Sequence, residues 1–89
     1  MSYLVDLTEL QLDVLQYFNG NGNVWRSAND LQRALVTRQR APLVRTASLL
    51  VKNGLLERTT GTIGNALFRA TTEGSELVDY LTATRWLSS

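Results

Sequence analysis

Eight basic side chains fall in the middle of the chain: Arg26, Arg33, Arg38, Arg40, Arg45, Lys52, Arg58 and Arg69. Asp30 and Glu57 are the acids that oppose them there, so residues 26–69 carry +6. Residues 1–25, with Asp6, Glu9 and Asp13, carry −3, and residues 70–89, with Glu73, Glu76, Asp79 and Arg85, carry −2. The net charge of +1 conceals this division. A basic centre between acidic ends suits a face that meets a polyanion while the ends turn elsewhere. The competing reading is a chance clustering of solvated charges.

Other chemistry is poorly supplied. The chain has no Cys and no His, which removes disulfides, thiol nucleophiles, Cys/His zinc sites and every mechanism that needs an imidazole. Ser and Thr hydroxyls are plentiful, but nothing of that kind is present to activate one. The eight acids show no paired-carboxylate or metal-ligand spacing, and the glycines match no phosphate-binding loop. The expectation is a binding protein rather than an enzyme, with no metal and no cofactor.

The elements that must position the basic residues can be read from periodicity. The 89 residues, 44% apolar and 19% charged, suit one globular domain. Leu7, Leu10, Val14, Leu15 and Phe18 recur at helical spacing, which predicts a first helix over about 8–18. Thr8 and Gln11 fit a capping box, with Leu7 and Leu12 as its hydrophobic staple. Asn19-Gly20-Asn21-Gly22-Asn23 stops that helix, and Val24-Trp25-Arg26 fits a single strand or an extended link. Ser27 is the next N-cap, with Asp30 in the first turn. Ala28, Leu31, Ala34 and Leu35 then form the stripe of a second helix ending near Leu35. A polar, basic connector over Val36–Ala41 leads to Pro42, which suits the first turn of a third helix. Leu43, Ala47 and Leu50 line one face of that helix, and Asn53-Gly54 ends it. Leu55–Thr60 and Ala66–Thr71 read as strands joined by a hairpin connection over Gly61–Asn65. Thr71 or Thr72 caps a final helix, with Glu73 in its first turn.

This order (helix, short strand, helix, helix, strand, strand, helix) is that of a winged helix-turn-helix, mainly α with a small β-hairpin, α+β in class. Three segments also resemble a known family. Leu7-Thr8 with Gln11, Val14 and Leu15 is similar to the opening helix of MarR- and PadR-type regulators. Leu50-Val51-Lys52-Asn53-Gly54-Leu55-Leu56-Glu57-Arg58 resembles the family's L-x-x-x-G-L-[ILV]-x-R segment, which ends the recognition helix and begins the wing. Ala70-Thr71-Thr72-Glu73-Gly74 resembles its L-T-x-x-G exit from the wing. The resemblance spans roughly 7–80; Ala70 stands where the family usually has Leu, and Val36-Thr37-Arg38-Gln39-Arg40 departs from the usual L-G-[IV]-S turn. It implies sequence-specific binding of double-stranded DNA by a small, repressor-like transcriptional regulator.

With Leu43, Ala47 and Leu50 turned to the core, Val44, Arg45 and Ser48 project from the other side of the third helix. Arg45 is the expected base contact, because a guanidinium can pair bidentately with a guanine edge. Arg38, Gln39 and Arg40 precede the helix, where they could reach base edges or the backbone. Thr37, Ser48 and Lys52 are expected at phosphates. On the wing, Thr60, Thr62 and Asn65 form a short polar tip with Thr59 beside them, and Arg69 stands on the strand behind. Arg58 reads equally as a phosphate contact or as an ion-pair partner of a helix carboxylate such as Asp13. Trp25 reads as core or core edge, with DNA stacking the less favoured role. The alternative function is a protein–protein module that uses the third helix and wing; the basic block favours DNA, and the apolar Val44 and Leu49 favour the alternative.

Tyr80, Leu81, Trp86 and Leu87 make the last helix apolar on more than one side, and a helix apolar all round must be buried. The expectation is one domain over 1–89 whose C-terminal helix, about 72–87, contributes a homodimer interface; the other possibility is that Trp86 folds back over its own first helix. No apolar run approaches the ~20 residues of a membrane span, and Met1–Asp6 lacks a signal-peptide pattern. A cytoplasmic protein, nucleoid-associated when bound to DNA, is therefore expected.

Overall fold

A computed structural model describes the backbone of residues 7–21 and 24–88, and side chains as far as residue 83. Four helices and three strands follow in order: α1 (Glu9–Gly20), β1 (Arg26–Ser27), α2 (Ala28–Ala34), α3 (Arg40–Lys52), β2 (Leu56–Thr60), β3 (Ala66–Ala70) and α4 (Thr72–Ser88). This is the expected winged-helix order. The short strand before α2 forms and pairs with β3, with Arg26 opposite Phe68 and Ser27 opposite Leu67, giving an antiparallel sheet in the order β1-β3-β2.

The first two helix starts carry their expected caps. The Thr8 hydroxyl accepts from Gln11 N–H at 3.1 Å and the Gln11 side chain accepts from Thr8 N–H at 2.9 Å. Ser27 and Asp30 repeat the arrangement at α2, with Asp30 accepting from Ser27 N–H at 3.0 Å. These boxes satisfy N–H groups that the first helical turn leaves unpaired. Leu7 and Leu10 pack at the edge of a core made by Val14, Leu15 and Phe18 of α1, Leu31, Leu43, Ala47, Leu50, Leu56 and Phe68, and Leu77 and Val78 of α4. The Phe18 and Phe68 rings meet at 5.7 Å and hold α1 against the sheet. The apolar stripe of α2 is narrower than expected, since Ala34 is exposed.

Several element boundaries differ from the sequence reading. The third helix begins at Arg40 rather than Pro42; Pro42 is still harmless, because none of the first helical N–H groups has an intrahelical partner to lose. Strand β2 begins at Leu56 rather than Leu55, because Leu55 is used to end α3. Gly54, at φ +79°, donates to Val51 O at 3.0 Å and Leu55 donates to Leu50 O at 2.9 Å, the two bonds of a Schellman motif. Thr71 likewise leaves β3 to cap α4, its hydroxyl accepting from Gly74 N–H at 3.0 Å. The same hydroxyl donates to Gly54 O at 2.6 Å, so the end of α3 and the start of α4 are joined by one side chain.

Candidate nucleic-acid interface

The spacing of Leu43, Thr46, Ala47 and Leu50, all buried, decides what α3 shows to solvent. Ala41, Arg45, Ser48, Leu49 and Lys52 lie on the exposed side, with Val44 half-buried at its border. Arg45, Ser48 and Lys52 thus share one face, spaced so that they line the helix over two turns. No acid lies in the first turn of α3 and Lys52 lies in its last. Unlike α1 and α2, α3 has no side-chain cap, since Gln39 makes no such bond. Its exposed first turn therefore keeps N–H groups and a positive dipole end that favour an anion.

Both ends of this helix are fixed. At the C-terminal end stand the Schellman bonds and the Thr71–Gly54 link. At the N-terminal end the preceding turn closes through Arg38 N–H to Leu35 O at 2.9 Å, and Gln32 Nε2 donates to Arg38 O at 2.7 Å. Arg40 hydrogen-bonds Asn29 Oδ1 while staying exposed. Thr37 and Gln39 are exposed beside it.

Arg38 also forms ion pairs within the domain. Its Nη2 lies 3.1 Å from Asp13 Oδ2 and 3.8 Å from Glu9 Oε1 on α1. The carboxylate pictured as a partner for Arg58 thus belongs to Arg38, and Arg58 is exposed on β2. Arg69 is also held within the domain. Its Nε donates to Glu57 Oε2 at 2.8 Å, straight across the β2–β3 ladder, and its guanidinium lies 4.4 Å from the centre of the Trp25 ring. Trp25 is half-buried beneath that cation. Arg26 opposes Phe68 on β1, and its Nε is buried without a hydrogen-bond partner among the described residues.

The wing tip is a tight hairpin. Gly61 N–H donates to Asn65 O at 2.7 Å and Gly64 N–H to Gly61 O at 3.0 Å, with Gly64 at φ +85°. Such a three-residue connection with a left-handed glycine is a favoured β-hairpin closure. Thr59, Thr60 and Thr62 are exposed. Asn65 is half-buried instead, its Oδ1 standing where a side chain on Gly61 would have to go. Ile63, at the apex, was not among the expected site residues and is 86% exposed. The signal was present in the sequence: an isoleucine inside the Gly61–Asn65 hairpin connection has no core within reach.

Other chemistry can be placed quickly. The Asp30 carboxyl is held below the usual carboxylate range, chiefly by the Ser27 backbone N–H. Burial, then the Asp30 charge, pushes the Tyr17 phenol up. A cleft of about 480 Å³ runs between α1, β3 and the start of α4, lined by Asn19, Glu57, Arg69, Thr71, Ser75 and Glu76. Among the described residues no cluster of three or more acids, His or Cys could hold a metal, and no helix is long and apolar enough to cross a membrane. On α4, Leu77 and Val78 are buried and Leu81 packs against the core, while Tyr80 is 52% exposed. The side chains of Trp86 and Leu87 lie outside the described residues.

No protein-family model matches the chain, and no curated protein matches it in sequence. Solved structures do. MepR, a transcription regulator of the Staphylococcus aureus multidrug efflux pump MepA, superposes with a TM-score of 0.79 at 24% identity, covering 89% of this chain and 58% of MepR. The S. aureus MepR–DNA complex gives 0.77 at 24% identity, covering 88% and 64%. The adhesin competence repressor AdcR of Streptococcus pyogenes gives 0.75 at 22% identity, covering 94% and 60%. These likenesses establish the winged-helix fold. The chain spans about three-fifths of the length of the proteins it matches.

Proposed function

We propose that this domain binds double-stranded DNA sequence-specifically, as a small, repressor-like transcriptional regulator, and that its role is binding without catalysis. The observation that carries the reading is the exposed face of α3: Arg45, Ser48 and Lys52 in line, Gln39 and Arg40 at its start, and no acid in the chain from Asp30 to Glu57. An α-helix fits the major groove, where each base pair presents a distinct pattern of donors and acceptors. In this reading Arg45 takes a guanine edge, with Val44 against a thymine methyl. Thr37, Gln39, Arg40, Ser48 and Lys52 hold the backbone, joined on the wing by Arg58, Thr60 and Thr62. Arg38, Asn65 and Arg69 support the surface from behind rather than lead it. The fold shared with MepR, which has been seen on DNA, favours the same partner. A cytoplasmic setting and a homodimer formed through α4 complete the proposal.

The competing reading is a protein–protein module. It draws on Leu49, 41% exposed beside the basic stripe, and Val44 next to it.

Salt separates the two. For duplex DNA, log K should fall with log salt by about 0.9 for each phosphate neutralised, and heparin should retain the protein. A flat response between low and physiological ionic strength would remove DNA as the partner.

A further inference from the structure

We propose that Ile63 is a wedge for the minor groove: the wing tip inserts it at a flexible pyrimidine–purine step, partly unstacks the step and bends the duplex. The inference rests on the DNA-binding reading and adds to it an apolar contact that no phosphate or minor-groove base edge could supply.

The placement is specific. Ile63 is the most exposed large apolar side chain among the described residues, at 86%. It stands at the apex of a hairpin closed by the Gly61–Asn65 and Gly64–Gly61 hydrogen bonds. Its position is thus set by the loop and not by packing. Gly61 and Gly64 flank the apex without side chains and Thr62 adds a short one, so the tip is narrow where the minor groove, about 6 Å wide, would have to admit it.

Charge points the same way. No acid lies between Arg58 and Thr72, and Arg58 is exposed on the strand behind the tip. Glu57, the nearest acid before it, is engaged by Arg69. The hairpin therefore approaches a polyanion without repulsion. In the minor groove isoleucine has nothing to offer a phosphate or a base edge, since the thymine methyl lies in the major groove. The apolar surfaces that this groove can present to it are sugar faces and the base faces of an opened step. Apolar wedges of this kind kink DNA by roughly 20–90°. Pyrimidine–purine steps yield most readily, so the contact would select sequence through deformability.

The test uses a short duplex with a central TA step, 2-aminopurine at that step and a donor–acceptor dye pair at the ends. A homopurine–homopyrimidine duplex, which contains no pyrimidine–purine step, is the control. The wild-type protein should raise 2-aminopurine fluorescence about twofold or more and bring the dyes closer on the TA duplex alone. Ile63→Ser should lose both signals and about tenfold in preference for the TA duplex, and Ile63→Leu should keep them. The salt slope should be equal in all three proteins, because Ile63 neutralises no phosphate. Melting temperatures should also agree, since the side chain is outside the core.

Unchanged fluorescence and bending in Ile63→Ser, with DNA binding intact, would overturn the wedge and leave the DNA reading standing. A change in sedimentation of Ile63→Ser without DNA would assign the tip to a protein contact, and that too overturns it. Failure of the wild-type protein to bind either duplex at low salt overturns both readings, and the affinity measurement reveals it before any bend is read.

Discussion

Arg38 Nη2 stands 3.1 Å from Asp13 Oδ2, tying the turn before α3 to the first helix across 25 residues of chain. Both side chains are about one-third exposed, so the pair contributes at most about 1 kcal/mol to stability. Its larger consequence is for binding. On DNA, in the proposed reading, the pair would withhold one guanidinium from phosphates and keep a neutralising carboxylate beside it. Arg38→Ala should therefore cost less duplex affinity than Arg45→Ala, which is expected to lose roughly 1–3 kcal/mol on the preferred site and relax base preference there. Lys52→Ala should weaken all sequences alike and lower the salt slope by about 0.9. Titrations of the three variants on a selected and a scrambled duplex check this. If Arg45→Ala weakens both duplexes equally, the base-reading face is not where α3 puts Arg45.

The contrast between Arg38 and Arg58 indicates what was legible in the sequence. Capping pairs such as Thr8–Gln11 and Ser27–Asp30 are three residues apart, so spacing alone determines them. The Gly54 helix stop and the hairpin glycines are read in the same way, from backbone chemistry. Which of several arginines meets Asp13 depends on how α1 lies against the α2–α3 turn, and no local pattern carries that. The Arg69–Glu57 pair needed the strand register, which places Glu57 opposite Arg69 and which no local pattern determines. The exposed face of α3 was legible because its complement, Leu43, Ala47 and Leu50, was. Asn65 read as a polar tip residue; it is half-buried, with its Oδ1 beside Gly61.

Gly74 is needed for a close approach rather than for backbone freedom. A Cβ there would lie 2.0 Å from the Leu55 carbonyl oxygen and 3.2 Å from Leu15 Cδ1. The carbonyl belongs to the backbone that also accepts Thr71 N–H at 3.1 Å, so it cannot swing aside without opening the joint between wing and α4. Gly74→Ala should cost about 1–3 kcal/mol or more, as overpacking does. Gly20→Ala meets nothing within 4 Å and should be neutral or gain up to about 1 kcal/mol. Urea denaturation of the two variants provides the comparison; equal stabilities would contradict the close approach at Leu55.

The capping box at α2 gives the fold a dependence on acid. Asp30 is held below its ordinary range by the Ser27 backbone N–H, against the opposing effect of burial, with the Ser27 hydroxyl next in weight. A carboxyl depressed in the folded state contributes stability that is complete above its unfolded value, about 3.9, and is lost as pH falls through the lower folded value. Asp30→Asn can still accept a capping bond but has no proton to gain. The stability difference between wild type and Asp30→Asn should therefore be constant around neutral pH and shrink below about pH 4. A difference that does not change down to the acid limit of folding would show that the Asp30 charge is not what holds the cap.

The last prediction concerns assembly. Helix-turn-helix dimers read half-sites about 34–36 Å apart, and one such domain covers one of them. The two segments best able to pair are the acidic ends, which a DNA-facing surface would reject. Over its first half, α4 places Gly74, Leu77, Val78 and Leu81 on the side that meets the core. Tyr80 stands 52% exposed on another side of the same helix, and Trp86 and Leu87 follow it in the sequence. Aromatic anchors commonly dominate contacts between protein surfaces, and a two-fold axis would use the same patch twice while leaving both α3 faces on one side. Trp86→Ala should shift sedimentation toward monomer while circular dichroism still reports a helical fold. It should also weaken binding to a duplex with two half-sites far more than to one with a single half-site. A wild-type protein that sediments as a monomer at tens of micromolar, or a Trp86→Ala protein that unfolds outright, would show that α4 serves its own chain instead.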